Sequence, residues 1–299
     1  SSAASDVYKR QVLDNKKDVA VIILNFKSWQ ETIQEADICN EFLGIDYENI
    51  IIVDNASPND SYVNLKSTSK EKNFILIKSE NNNGYAAGNN IGMRYAYKAG
   101  YKYAWILNND ILINDKEIVT KLTDVFKKDS SVAVVNPDIY APDGHMYNRD
   151  SIRPDFFDLT FGMLNYKKKG RKIEDRGGYS YIYRPQGCCM MVDLNKMNEI
   201  DYMDEHTFLY VEEPILAERL MQKNYKCACC IATSIIHNHS TTVKSVFAKN
   251  KIRKMNNESF KYYLKQYRKF NIVKTNICLF FNYLKLLMLD SVSYTHLTL

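Results

Sequence analysis

The feature that most constrains this chain is a series of short apolar runs, each of which stops at polar side chains. Residues 19–24 (VAVIIL) stop at Asn25, and residues 49–53 (NIIIV) stop at Asp54 and Asn55. Residues 73–77 (NFILI) lead to the cluster 81–84, and residues 103–107 (YAWIL) stop at Asn108, Asn109 and Asp110. Helical patterns separate the runs at 28–42 and 86–98, the latter closed by Gly100 as a C-cap. A further helix at 116–126 precedes a fifth strand at 132–135. Strands that are apolar at every position are buried on both faces, and helices alternating with them imply a mostly parallel α/β sheet covered on both sides. Such sheets bind ligands beyond the carboxyl ends of their strands, which is where these polar clusters lie.

The rest of the composition narrows the class. The chain has 299 residues, is 45% hydrophobic and 25% charged, and has a formal net charge of +5. That length buries a substantial core, and the basic excess is too small and too dispersed for a nucleic-acid binder. The seven cysteines are odd in number and include adjacent pairs, which argues against a disulfide framework. The segment 227–232 (CACCIA) lacks the paired spacing of a structural zinc site and reads as a buried strand using cysteine as a small hydrophobe. The longest apolar stretch, 277–289 (ICLFFNYLKLLML), is interrupted by Asn282 and Lys285 and is shorter than a bilayer span requires. A cytoplasmic location is therefore expected. Residues 1–11 and 292–299 fit neither flanking pattern, resemble translated adaptor sequence, and are left out of the fold argument.

Beyond the fifth strand the pattern loosens. Residues 140–184 are rich in Gly, Pro, Asp, Arg and Tyr, with a basic run from Lys167 to Lys172, and read as a partly mobile excursion over the active face. Regular structure resumes with a strand at 187–193 (GCCMMVD), a helix at 214–223, the cysteine strand, and His237 with His239. From Lys244 to Asp290 the chain is helical, basic and aromatic.

Several residues have the chemistry to form a site. Asp54 suits hydrogen bonds from a nucleobase or ribose, or equally an Asx-turn in the sequence DNASP. The segment 83–90 (NGYAAGNN) is a Gly-punctuated loop opening a helix, which favours anions and close ligand approach, or simply a turn. Asp110, with Asn108 on the same side of the chain, offers oxygens suited to Mg²⁺ or Mn²⁺. Glu212 and Glu213 follow FLYV (208–211) and open a helix. Either is a general base if apolar neighbours raise its pKa, or an ordinary acidic residue at a helix N-terminus. His237, after a strand, completes a cation's coordination in its neutral form or serves a structural role.

In order and spacing these segments resemble glycosyltransferase family 2, and particularly its rhamnosyltransferase-like branch. The motifs are VAVIILN (19–25), IVDNAS (52–57), NGYAAGNN (83–90), WILNND (105–110), MDEHTFLYVEE (203–213) and HNHS (237–240), spanning about three quarters of the chain. The resemblance implies a GT-A fold over 18–243 and an inverting transfer of a sugar from a nucleotide-sugar donor. It assigns Asn25, Asp54, Asn55, Asn83, Gly84, Asn89, Asn108, Asn109 and Asp110 to the donor site. Asp110 takes the place of the last carboxylate of the family's DxD motif, with Asn108 where many members have the first aspartate. Glu213 stands where the family has its catalytic aspartate, with Glu212 as the alternative base, and His237 matches the late metal-site histidine. The implied cofactor is Mn²⁺ or Mg²⁺, and the donor is UDP-, dTDP- or GDP-linked. The implied acceptor is a glycan or a lipid-linked hydroxyl in bacterial surface polysaccharide synthesis.

Three regions flank this expected domain: tails at 1–17 and 291–299, and a helical extension at 244–290. The extension reads as packing helices, or as a membrane-surface element at the inner face of the cell membrane. Two other classes compete with the enzyme assignment. A sugar nucleotidyltransferase would carry glycines after the first strand, where this chain has NFKSW (25–29). A non-catalytic nucleotide-sugar or glycan-binding protein would have no need of Asp110, Glu213 and His237 together.

Overall fold

The computed structural model describes residues 18–146, 148–161, 173–238 and 249–295. The basic run Lys167–Lys172, His239, residues 1–17 and residues 296–299 lie outside the described residues. The first half alternates strictly: β1 (Val19–Asn25), α1 (Trp29–Asp37), β2 (Ile50–Asp54), α2 (Ser61–Lys72), β3 (Ile75–Lys78), α3 (Tyr85–Lys98), β4 (Tyr103–Leu107). There follow β5 (Ile111–Ile113), α4 (Ile118–Lys128), β6 (Val132–Tyr140), β7 (Tyr179–Ile182), β8 (Cys189–Asp193) and α5 (Leu194–Glu199). The chain continues with α6 (Glu212–Gln222), β9 (Lys226–His237), α7 (Lys249–Gln266) and α8 (Ile272–Thr295).

One nine-stranded sheet carries the molecule, in the order β3-β2-β1-β4-β8-β6-β9-β5, with β7 also pairing with β9. The four strands marked by the apolar runs form the parallel half. Their residues alternate between two cores. Val19, Val21 and Ile23 of β1 face one cluster, and Ala20 and Ile22 face the other. This double burial is why the runs are continuous rather than alternating.

The second half departs from a simple parallel extension. β8 lies antiparallel between β4 and β6, and β5 and β7 both run antiparallel to β9. Only β6 and β9 are parallel there. β5, β7 and β8 thus run opposite to the other six strands, a reversal that local periodicity does not reveal. The excursion after β6 is also tied down where it is described. It supplies β7, and Arg149 and Arg153 form paired bonds to Asp138 and Glu218.

Helix α3 ends as its sequence suggests. Gly100 has φ +88, Gly100 N donates to Tyr97 O (3.1 Å) and Tyr101 N to Ala96 O (3.1 Å). These are the two bonds of a Schellman ending, which needs a left-handed residue at that point. The segment CACCIA lies inside β9, where Cys227, Cys229 and Cys230 are buried, as a strand of small hydrophobes requires. Among the described residues no helix is long and apolar enough to cross a membrane.

Candidate active site

The polar strand ends are wired to one another. Asn25 Nδ2 donates to Asp54 Oδ1 at 2.7 Å, and Thr32 of α1 donates to Asn25 Oδ1 at 3.0 Å. Asn109 Nδ2 reaches Thr32 Oγ1 at 2.9 Å and Ser28 Oγ at 2.8 Å. This chain of bonds crosses from the end of β2, through β1, to the turn after β4.

It also changes what these residues offer. Asn25 and Asp54 are fully buried, and the second oxygen of Asp54 accepts from Ser57 N, three residues on, at 3.2 Å, so the side chain closes its own turn. Asn109 is half-buried and its amide N–H groups are spent on the start of α1. Asn89 is fully buried and donates back to Tyr85 O at 3.0 Å. Asn55 is buried and holds the next loop through Asn82 Oδ1 (3.0 Å) and Gly84 O (3.2 Å). As donor-binding candidates these five act from behind the surface: they hold strand ends and loops in place. Asn83 is exposed and Asn108 half-buried, so both remain within reach of a ligand.

Gly84 is required for a reason other than ligand approach. Its φ is +98, and the space a side chain would fill holds the backbone of Phe208. The loop 83–85 is thereby pressed against the segment that leads to the two glutamates.

Asp110 and His237 meet through the sheet. β5 pairs antiparallel with β9, with Ile111 opposite His237, and Asn238 N donates to Asp110 O at 3.0 Å. Asp110 Oδ1 lies 3.2 Å from His237 Nε2, with about a tenth of each side chain exposed. Beneath them sits Glu35 of α1, 2% exposed, with one oxygen unpartnered among the described residues. Its carboxyl is held well above the usual range by burial and then by the charge of Asp110, although the N–H of Ile111 donates to it. Burial thus disfavours a charge on Glu35 beside Asp110. Among the described residues no group of three or more His, Cys, Asp or Glu side chains is placed to hold a metal ion, and Asp110 and His237 form a pair.

Glu212 and Glu213 open α6 directly after Tyr210 (φ +73) and Val211 (φ +70). Two successive left-handed residues, one of them β-branched, are costly and occur where the surrounding structure imposes them. The two carboxyls differ sharply. Glu212 is buried, has an oxygen with no partner among the described residues, and is pushed up to about 8 by burial and then by the charge of Glu213. Glu213 is half-buried, and its Oε1 faces Gly187 N at 3.4 Å. Tyr85 completes the corner by donating to Gly187 O at 2.6 Å, its phenol pushed well up by burial and then by Glu213. A side chain on Gly187 would meet that hydroxyl at 2.8 Å.

Tyr85, Gly187, Thr32 and Glu35 were not singled out from the sequence. Tyr85 was visible inside the NGYAAGNN motif and Gly187 at the start of GCCMMVD. Thr32 and Glu35 had no signal beyond occupying the inner side of a helix.

Comparison with known proteins follows the same outline. The family described as "Glycosyl transferase family 2" matches residues 21–193. A hexosyltransferase of low-salt glycan biosynthesis in Haloferax volcanii, Agl10, is 26% identical over 226 residues, covering 74% of this chain and 67% of that protein. Among solved structures, the mannosyltransferase PcManGT of Pyrobaculum calidifontis, in complex with GDP-Man and Mn²⁺, superposes with a TM-score of 0.57 at 10% identity, over 92% of this chain and 75% of that one. GalNAc-T7, crystallised with UDP, GalNAc and Mn²⁺, gives 0.55 at 12% identity over 89% of this chain, which spans 54% of that protein's chain. TarS 1–349 of S. aureus, in complex with UDP-GlcNAc, gives 0.53 at 11% identity over 87% of this chain and 70% of that one. The architecture is thus that of the GT-A glycosyltransferases.

Proposed function

Because the chain belongs to glycosyl transferase family 2, and is therefore a glycosyltransferase, we propose that it moves a hexosyl or deoxyhexosyl group from a nucleotide-sugar donor to a hydroxyl of a glycan or lipid-linked acceptor, with inversion, in surface polysaccharide synthesis. The observation that carries this reading is the 3.2 Å approach of Asp110 to His237, brought about by the pairing of β5 with β9. A carboxylate and an imidazole facing each other fit a divalent cation, and the imidazole favours Mn²⁺ over Mg²⁺. The UDP or GDP and Mn²⁺ in the complexes of GalNAc-T7 and PcManGT support the same ligand class. Asp110 and His237 would hold the ion, with Asn108 as a supporting neutral ligand. When bound, the cation offsets the negative charge of the departing diphosphate.

The remaining work falls to the chain's own groups. Asn83 and Asn108 face the donor, while Asn25, Asp54, Asn55, Asn89 and Asn109 keep the strand ends and the 83–85 loop in register. Glu213 takes the proton from the acceptor hydroxyl as that oxygen bonds to the anomeric carbon. The bond from that carbon to the diphosphate oxygen breaks on the opposite face, the nucleoside diphosphate leaves with the electron pair, and the configuration inverts. The greater exposure of Glu213 supports it as the base. Glu212, neutral near pH 7, keeps a second negative charge away from the attacking oxygen and limits repulsion.

The test is a donor screen with Mn²⁺ and Mg²⁺ that scores release of UDP, dTDP or GDP. Glu213→Gln is expected to abolish turnover. Full turnover in that variant would remove Glu213 as the base, and no release from any nucleotide sugar would remove the donor assignment.

A further inference from the structure

Helix α8 is apolar on both sides. Its inner face is sealed: Cys278 shares a buried cluster with Ile215 of α6 and with Tyr263 and Leu264 of α7, and Asn282 donates to Asn256 and Asn257. Its opposite face carries Val273, Phe280 and Tyr283 at helical spacing, 62%, 59% and 44% exposed. Phe157 and Phe161 are also exposed, and Phe161 meets Phe281 edge-on at 4.8 Å between centroids. A contiguous exposed apolar and aromatic patch marks an interaction surface. Among the described residues nothing covers this one.

Charge distinguishes between the possible occupants. Residues 249–295 contain ten Lys and Arg against Glu258 and Asp290, a net +8, while the whole chain is +5 and the remainder therefore −3. A second copy docking symmetrically would set two such basic hairpins against each other. An anionic lipid surface attracts the charge and takes up the aromatics at once. Lys274 and Lys285 are exposed on α8, and Lys274 Nζ lies over the rings of Phe156 and Phe270 at 5.7 and 5.9 Å. The contact holds the ammonium of Lys274 over two rings at the start of α8 while the residue stays exposed.

We propose that the outer face of α8, with Phe157 and Phe161, docks this protein on an anionic bilayer as an interfacial helix. The hairpin packs on the turn that carries the glutamates: Ser259 Oγ donates to Leu209 O at 3.0 Å, and Val211 and Ile215 pack in the α7–α8 cluster. Docking would therefore hold that turn about one helix layer from the lipid surface and suits an acceptor borne by a lipid. This consequence for the acceptor rests on the transfer reaction proposed above, whereas the docking does not.

The test is co-sedimentation of the full chain with phosphatidylcholine vesicles and with vesicles that also contain phosphatidylglycerol, requiring no sugar donor. Binding is expected to the anionic vesicles only and to weaken with added salt. Val273→Glu with Phe280→Glu is expected to abolish it. Lys274→Gln with Lys285→Gln, two changes at exposed positions that keep the length of most of the side chain, is expected to lower partitioning roughly 25-fold, about fivefold per lysine. Equal binding to both vesicle types, or no binding to either, would overturn the proposal. So would a wild-type chain that self-associates in sedimentation velocity, is made monomeric by Phe280→Glu, and ignores vesicles, which would make a second copy the occupant. If the Phe280 variant fails to fold, unchanged binding of the Lys274/Lys285 variant is itself decisive against an electrostatic lipid contact.

Discussion

The carbonyl oxygen of Phe208 lies 2.0 Å from where a Cβ on Gly84 would sit, and the same oxygen accepts from Tyr85 N at 3.0 Å. The loop after β3 and the segment before α6 are thus locked backbone to backbone, with no flexible side chain to yield. Gly84→Ala combines this clash with a left-handed φ and is expected to cost about 3 kcal/mol or more. Gly100→Ala is the control. It shares the positive φ but meets nothing within 4 Å, so about 1 kcal/mol is expected. Chemical denaturation of both variants checks the difference, and equal losses would show that the contact with Phe208 carries no weight.

Asp110 and His237 are expected to behave as one unit. Asp110→Ala should lower kcat/KM by roughly 10²–10³-fold, and His237→Ala by roughly 10–100-fold with weaker Mn²⁺ binding. The double variant should lose much less than the product of the two, because both would serve one ion. Mn²⁺ titration followed by electron paramagnetic resonance reads the affinity independently of turnover. Strictly multiplicative losses would separate the two residues.

The Glu212–Glu213 pair predicts an unusual pH dependence. Glu212 is held at about 8 in the fold against an ordinary value of 4.5, so the folded chain binds more protons between those limits. Its contribution to stability is fully present below about pH 4.5 and is lost as pH rises through about 8. Glu212→Gln removes that loss and is expected to raise stability at pH 8 by up to a few kcal/mol, with little change at pH 4.5. Urea melts at the two pH values test the sign, and a variant less stable at pH 8 than the parent would refute it.

Asp204 predicts the reverse. Burial acts to raise its pKa, but hydrogen bonds from Tyr267, from the backbone and ring of His206, and from Tyr262 outweigh burial and hold the carboxyl below its ordinary value of 3.8. A depressed carboxylate contributes stability above its unfolded pKa and loses it as pH falls through the folded one. Because one of these phenols, Tyr262, belongs to α7 and the other, Tyr267, directly follows it, Asp204→Asn is expected to loosen the hairpin first, costing about 1–3 kcal/mol. Hydrogen exchange in α7 and α8 should rise before exchange in β1 does. Uniform loss across the chain would count against a local latch.

The parallel half of the sheet was legible in the sequence because burial on both faces leaves a local record: an unbroken apolar run with a polar stop. The helix ending at Gly100 and the cysteine strand were legible for the same reason, since each depends on neighbours in the chain. The polar stops also marked the carboxyl ends of β1 to β4, but not what each residue does there. Whether Asp54 faces a ligand or closes a turn depends on Asn25 and Ser57, and whether Asn109 is free depends on Thr32 and Ser28. Only the tertiary structure shows those bonds, because a hydrogen bond consumes a donor that composition still counts as available. It also decided the antiparallel insertion of β8, the meeting of Asp110 with His237, and the burial that separates Glu212 from Glu213. Each of these turns on strand direction or on solvent exclusion by distant segments, and neither has a local pattern to read.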